Sequence, residues 1–255
     1  MLPFFFNTHQ VKQETMNIAI IGYGKMGKEI EQIALERGHK IPLIIDIANK
    51  ADLNSVNLKA KQIDVAIEFT IPETAIENYK ICFEADVPVV SGTTGWISKY
   101  DEIKNYCNSN GKGFFWASNF SLGVNLFFEL NKYLAKLMNP HADYDCAMEE
   151  IHHTQKLDAP SGTAITLAEG LLANNTRKKS WKLNTIQNKE DFQIVAKRLG
   201  TVPGTHTITY DSAVDSIEIK HEAKGRKGFA LGSVIAAEYM KGRKNVCGMS
   251  DLLNL

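Results

Sequence analysis

The chain opens its regular pattern at Asn17-Ile-Ala-Ile-Ile-Gly22, an apolar run ending in glycine, which is the signature of a buried parallel strand. From Lys25 to Arg37 the apolar positions Met26, Ile30, Ile33 and Ala34 recur with a helical period, and Gly38 ends the run. Ile41–Asp46 is a second strand with an acid at its C-terminal end. Further strands are expected at Val65–Phe69, Val87–Ser91 and Phe114–Ala117, with helices near Glu73–Glu84 and Ser98–Asn108 between them. Strand and helix alternating at this spacing predict a parallel α/β sheet with right-handed crossovers.

The pattern then changes. A helix runs from after Gly123 to Met138, where Asn139-Pro140 stops it. Asp143–Ile151 reads as a strand leading into His152, and a helix follows from Thr163 to about Ala173. Asn174–Glu190 is polar and is expected to be an exposed loop or insertion. Alternating strands return at His206–Tyr210 and Ser216–His221, and Phe229–Met240 is apolar enough for a closing helix. The predicted fold class is α/β, a Rossmann-type parallel sheet with a second α+β domain. Residues 16–120 with 228–255 form the first domain, and 121–227 the second.

Composition narrows the function classes. A length of 255 residues suffices for a full core. Lys plus Arg and Asp plus Glu both number 29, so no overall field draws the chain to nucleic acid or to an anionic membrane. No stretch approaches the roughly 20 apolar residues of a membrane span. Cys82, Cys107, Cys146 and Cys247 are scattered without a C-x-x-C pair, which predicts reduced thiols and a cytoplasmic location. The opening Met1-Leu-Pro-Phe-Phe-Phe is too short an apolar run for a signal peptide and has no basic residue before it; since Met16 stands directly before a strand, residues 1–15 are expected to be a disordered extension.

Gly22-Tyr-Gly-Lys-Met-Gly27 fits G-x-G-x-x-G between a strand and a helix. Its glycines permit the tight turn and let backbone amides approach a dinucleotide diphosphate. Asp46 stands about 20 residues further on, where an acid holds an adenosine ribose. Because Ile47 and not arginine follows, the carboxylate would repel a 2′-phosphate, and NADH is expected over NADPH, with Lys50 able to soften that preference. Gly92, Thr93 and Thr94 close another strand at the rim where α/β sheets bind ligands, and Ala117–Ser121 closes a fifth.

The densest chemistry lies in Glu150–Thr163. His152 and His153 exchange protons near neutral pH, and Lys156 adds a cation. Asp158-Ala-Pro-Ser-Gly-Thr163 reads as a turn entering a helix capped by Ser161, whose exposed amides would receive a carboxylate or phosphate. A proton donor beside an anion receptor predicts an enzyme acting on a small acid. His9, His39, His141 and His206 receive no role. An E-x-x-H metal site of Glu149 with His152 and His153 is at noise level, and no metal is expected. A serine hydrolase lacks its G-x-S-x-G elbow.

The string Glu150-x-His-His-x-x-Lys-x-Asp-Ala-Pro-Ser-Gly-Thr163 closely resembles the signature of the 4-hydroxy-tetrahydrodipicolinate (dihydrodipicolinate) reductase family. The likeness extends to Gly22–Gly27, Phe69-Thr70 with Pro72, Gly92–Gly95, Asn119–Asn125 and Val202-Pro-Gly204, nearly everything from Met16 onward. It implies NAD(P)H-dependent reduction of a cyclic dicarboxylic imine to tetrahydrodipicolinate with loss of water, on the diaminopimelate route to lysine. It also implies a homotetramer assembled through the second domain. By the same likeness His152 is the proton donor and Lys156 a second acid. His153 touches substrate, and Ser161, Gly162 and Thr163 hold a substrate carboxylate. Cofactor contacts fall on Gly22, Tyr23, Gly24, Lys25, Met26, Asp46, Gly92, Thr93, Thr94, Ser118, Asn119 and Phe120. The pattern departs from the family at Ile47, where arginine often stands. Two rivals remain, another dehydrogenase on the same architecture and a non-catalytic NAD-binding sensor.

Overall fold

The computed structural model describes residues 14–255; most of the expected extension lies outside them. The chain divides into two compact units, one running to Ser118 and resuming over Ser233–Gly248, the other comprising Asn119–Gly232 and Met249–Leu255.

The first unit is a six-stranded, wholly parallel sheet built from β1 (Asn17–Ile21), β2 (Lys40–Ile45), β3 (Val65–Glu68), β4 (Val89–Ser91), β5 (Phe114–Trp116) and, from the chain's return, β11 (Val246–Cys247). The order is β2-β1-β3-β4-β5-β11, so the direction of strand addition reverses at β1. The intervening helices are α1 (Lys25–Glu36), α2 (Ser55–Ala60), α3 (Pro72–Glu84) and α4 (Tyr100–Asn110). β3 is buried along its length, as a strand with both faces covered must be. Its flank carries an aromatic cluster of Tyr79, Trp96 and Phe114, with ring centroids 5.1–5.9 Å apart.

The second unit holds α5 (Leu122–Met138), β6 (Asp145–His152), α6 (Gly162–Asn174), β7 (Ser180–Leu183), β8 (Asp191–Arg198), β9 (Thr205–Asp211) and β10 (Ser216–Glu222). Its mixed sheet has the order β10-β9-β6-β8-β7, antiparallel from β10 to β6 and parallel from β6 to β7. Helices α5 and α6 share one hydrophobic core with the sheet, in which Phe127, Leu167, Leu171, Met148, Ile194 and Tyr210 are buried. The Asn131 side-chain amide donates to the Leu167 carbonyl at 2.8 Å and ties the two helices together. Helix α7 (Lys227–Met240) starts in this unit and ends in the first, and α8 (Met249–Leu253) packs on α5.

Three local expectations change. The polar stretch 174–190 is not all loop, because Ser180–Leu183 pairs in parallel with β8. Lys178 anchors it, buried and bound to the carboxylate of Asp145 at 2.7 Å and to the carbonyls of Lys189 and Asp191. β8 itself was not anticipated, although Phe192 and Ile194 alternate with polar neighbours and are fully buried. The sequence reading also assigns all of 228–255 to the first unit, whereas Met249–Leu255 packs with the second.

Candidate active site

In the first unit a cleft of about 270 Å³ opens at the C-terminal ends of β1, β2 and β3, where the sheet order reverses. Gly22, Tyr23, Gly24, Asp46, Ile47, Lys50, Phe69, Thr70 and Asn78 are among its walls. The three glycines of the loop have different reasons to be glycine. Gly22 has φ +95°, and a Cβ there would sit 2.1 Å from the Phe69 carbonyl oxygen. A Cβ on Gly27 would meet the Gly22 carbonyl at 2.2 Å. Gly24 meets nothing within 4 Å, so the protein's own packing does not demand it. An approaching diphosphate would, since the α1 N-terminus behind Gly24 has no side-chain cap and the amides of Lys25 and Met26 have no carbonyl within the helix to bind. The residues present therefore fit a dinucleotide.

Asp46 caps the short 3₁₀ turn that follows β2. Its carboxylate accepts the Ile47 amide at 2.8 Å, and Asn49 reciprocates onto the Asp46 amide at 2.8 Å. That box fixes the acid at the cleft mouth. Ile47 is almost fully exposed beside it, and Lys50 is engaged by Glu77 at 3.0 Å.

The predicted rim residues separate. Gly92 is forced by the Phe69 ring, which a Cβ would meet at 2.1 Å. Thr93 is buried and turned inward: its hydroxyl accepts from the Thr70 amide at 2.8 Å and donates to Glu68 at 3.0 Å, and its carbonyl accepts both the Trp96 and Trp116 indoles. Glu68 is fully buried and receives the hydroxyls of Ser91, Thr93 and Thr70. This network holds Thr70 at the cleft, so Thr93 shapes the wall from behind. Thr94 and Ser118 are exposed and do not line the cleft; in the second unit Phe120 is buried and Asn119 accepts from the Ser121 amide. Phe69, Thr70, Ile71 and Asn78 were missed as wall residues, though Phe69-Thr70 stood in the family pattern.

The second unit gathers the titratable groups. In β6 alternate residues face the helices, so Cys146, Met148, Glu150 and His152 are all buried on one face. The period of two also separates Glu149 from His152. Glu149 points to the other face and pairs with Lys197, so the E-x-x-H spacing does not form a site. Glu150 and His152, two residues apart, bring Oε2 and Nδ1 to 3.6 Å. His206 lies opposite Glu150 in the antiparallel register, its Nε2 3.7 Å from the same carboxylate and 3.2 Å from Ser161 Oγ.

The Ser161 amide donates to Glu150 at 3.1 Å, and the Ser161 hydroxyl accepts from Ala164 at 3.1 Å as the cap of α6. The amides of Gly162 and Thr163, first and second in the helix, have no intrahelical partner. Nothing lies within 4 Å of a Cβ built on Gly162. Arg198, at the end of β8, donates to Glu150 at 3.2 Å and to the carbonyls of Lys156 and Asp158, clamping the loop that carries Lys156. Lys156 Nζ sits 2.9 Å from Asp158. His153 is half-buried with Nδ1 unpartnered. Gly204 has φ +155°, and a Cβ there would press on His152 Nε2 at 3.1 Å. Arg198 and His206 are thus site residues that the sequence did not reveal.

Burial holds the His152 imidazole down to about 4, with the Glu150 carboxylate pulling the other way and His206, Lys156 and Arg198 adding to the depression. Burial alone would raise Glu150, but the adjacent His206 ring, hydrogen bonding from Ser161 and the charge of His152 bring it down to about 2. Carboxylate and imidazoles have the donor types of a metal site, yet Arg198 and the Ser161 amide already take up the carboxylate. The arrangement suits proton delivery beside a bound anion.

Comparison with known proteins identifies the family. The family described as dihydrodipicolinate reductase, N-terminus, matches residues 16–120, and its C-terminus counterpart matches 123–253. The 4-hydroxy-tetrahydrodipicolinate reductase of Christiangramia forsetii is 50% identical over 94% of this chain and 98% of its own length. The one from Methanocaldococcus jannaschii is 32% identical over 92% of this chain and 81% of its own. A solved dipicolinate-bound dihydrodipicolinate reductase from Paenisporosarcina sp. TG-14 shares the fold at a TM-score of 0.74 and 23% identity, covering 92% of this chain and 98% of that one. With both domain models matched in order and 50% identity to a reductase over 94% of the chain, the chain belongs to the 4-hydroxy-tetrahydrodipicolinate reductase family of pyridine-nucleotide oxidoreductases.

Proposed function

We propose that the chain reduces 4-hydroxy-tetrahydrodipicolinate to tetrahydrodipicolinate, with loss of water, in lysine synthesis through diaminopimelate, and that His152 delivers the proton. One observation carries the assignment of roles: a buried imidazole and the bare N-terminus of α6 are tied to the same carboxylate, Glu150. The amides of Gly162 and Thr163, with Ser161 fixing the helix end, hold one substrate carboxylate. Lys156 leaves Asp158 for the substrate, polarises the imine or assists the departing water, and His153 lines the same pocket. The nicotinamide supplies hydride when bound. His152 is neutral in the free protein near pH 7. A dicarboxylate brings negative charge beside it, raises its proton affinity, and so recruits the proton that the reduction consumes.

The cofactor reading rests on Asp46 with Ile47 beside it, which favours the ribose hydroxyls of NADH over a 2′-phosphate. Gly22, Tyr23, Gly24, Lys25, Met26 and Asp46 form its site, and the family likeness adds Gly92, Thr93, Thr94, Ser118, Asn119 and Phe120. The chain assembles as a homotetramer through the second unit. Support comes from Leu126, Leu130, Tyr133 and Leu137, a stripe along α5 that is about half exposed in the single chain. Four buried cysteines, none in a disulfide, suit the cytoplasm, and no helix among the described residues is long and apolar enough to cross a membrane.

The test is a coupled assay that follows NADH absorbance with freshly generated substrate, repeated with NADPH. Oxidation that depends on this substrate, and fails with amino-acid or sugar dehydrogenase substrates, supports the proposal. Nucleotide binding without turnover overturns it in favour of a sensor.

A further inference from the structure

Glu150 does more than the proton-donor role of His152 requires. It is a fully buried carboxylate that contacts four elements: His152 on its own strand at 3.6 Å, His206 on β9 at 3.7 Å, Arg198 on β8 at 3.2 Å and the Ser161 amide at the start of α6 at 3.1 Å. We infer that Glu150, braced by His206, is a positioning residue that couples the two halves of the substrate site, fixing the anion-binding helix end while stabilising the positive charge that His152 carries in turnover. The inference rests on the proposed role of His152 and deepens it.

The geometry explains why a single group can do both. Glu150 Oε1 and Oε2 both lie within reach of the Ser161 amide, at 3.2 and 3.1 Å, so displacing the carboxylate displaces the cap of α6. His206 Nε2 reaches both Ser161 Oγ and Glu150, so it braces the same junction from the sheet. His152 stands beyond hydrogen-bond reach of the carboxylate and feels its charge, which favours imidazolium without taking its proton. The other charged or titratable groups facing this cluster are Arg198, Lys156 and Asp158, together with His221, directly across from His206 on β10. Arg198 and Lys156 oppose an imidazolium, and Glu150 is the buried anion that offsets them. Its removal leaves His152 surrounded by cations.

The experiment compares wild type, Glu150→Gln, His206→Gln and His152→Gln as full-length enzyme, reading kcat, the substrate and NADH KM values and the pH dependence of kcat. Glu150→Gln keeps the shape and an acceptor for Ser161 but removes the charge. It is expected to lower kcat at pH 8 by about 100-fold and to move the alkaline fall of kcat down by about one to two pH units. The deficit therefore shrinks as pH falls, while the KM for NADH is unchanged. His206→Gln removes a group that opposes an imidazolium, so it raises the substrate KM through the loosened cap of α6 and moves the alkaline fall of kcat slightly up. Should Glu150→Gln prove poorly folded, the opposite shift in His206→Gln, with its higher substrate KM, carries the test. A deficit constant across pH, or full activity in both variants while His152→Gln is inactive, overturns the inference and leaves the role of His152 intact. Full kcat in His152→Gln overturns the role of His152 itself.

Discussion

The two helix N-termini that face ligand space, α1 in the first unit and α6 in the second, solve related problems differently. Both begin beside a glycine, Gly24 or Gly162, over which the protein places nothing within 4 Å, and both leave early amides bare. α1 has no capping side chain, and Ile45, Ile47, Phe69 and Ile71 are among the apolar walls of its cleft. α6 has a buried serine cap, fixed by a buried carboxylate with two imidazoles and a guanidinium around it. A diphosphate keeps its charge throughout the reaction, so fixed backbone dipoles and a rigid turn are enough to hold it. On the roles proposed for His152 and α6, an anion is held there while a proton moves, which accounts for ionisable groups buried despite the cost of desolvation.

The hardest test of that contrast is His152→Gln. It should lower kcat by about 10²–10⁴, the usual worth of a positioned general acid, and leave the NADH dissociation constant within about twofold. Steady-state rates with NADH fluorescence titration check both halves. Next come the glycines. Gly24→Val should weaken NADH binding by about 10- to 100-fold without lowering Tm, because only a ligand approaches that backbone. Gly162→Val should raise the substrate KM by a similar factor and leave NADH binding alone. If either change crosses over to the other ligand, the two termini are not independent sites.

The contrast also predicts acid sensitivity confined to one unit. The native pKa of His152 is depressed from 6.5 to about 4, so the unfolded chain binds more protons between those values and stability falls as pH drops through them. Glu150, depressed from 4.5 to about 2, continues the loss at lower pH. Both contributions are fully present above about pH 6.5. Hydrogen exchange at pH 7 and pH 5 should show protection falling at β6, β9 and the start of α6, on the order of 1–3 kcal/mol, before it falls in β1 and β3. Equal losses in both units would contradict the assignment.

What could be read from the sequence follows the range of its interactions. The glycine turn, Asp46 and the 150–163 segment are local patterns, and their elements stand where periodicity places them. Even Glu150 and His152 share a face because strands alternate, a fact available from spacing alone. Arg198 and His206 were not available, because their place depends on which strands pair with β6 and in what register. β8 was hidden by the polar stretch before it, whose order depends on burial of Lys178 among carbonyls that no local pattern announces. Thr93 was legible as a rim residue but not as one turned inward, since that orientation comes from Glu68 on another strand.

The smallest expected effect concerns the α1 side alone. Lys50 lines the cleft near Asp46 but is held by Glu77 at 3.0 Å, with both side chains more than half exposed. An exposed pair of this kind is worth about 0–1 kcal/mol, so its loss can shift cofactor choice by no more than about fivefold. Glu77→Gln should free Lys50 for a 2′-phosphate and raise kcat/KM for NADPH within that limit, with NADH kinetics and Tm unchanged. The gain should vanish in added salt, since screening at about 1 M cuts the Debye length to about 3 Å. A larger gain, or one that persists in salt, would mean that Asp46 does not control discrimination and that the lysine does.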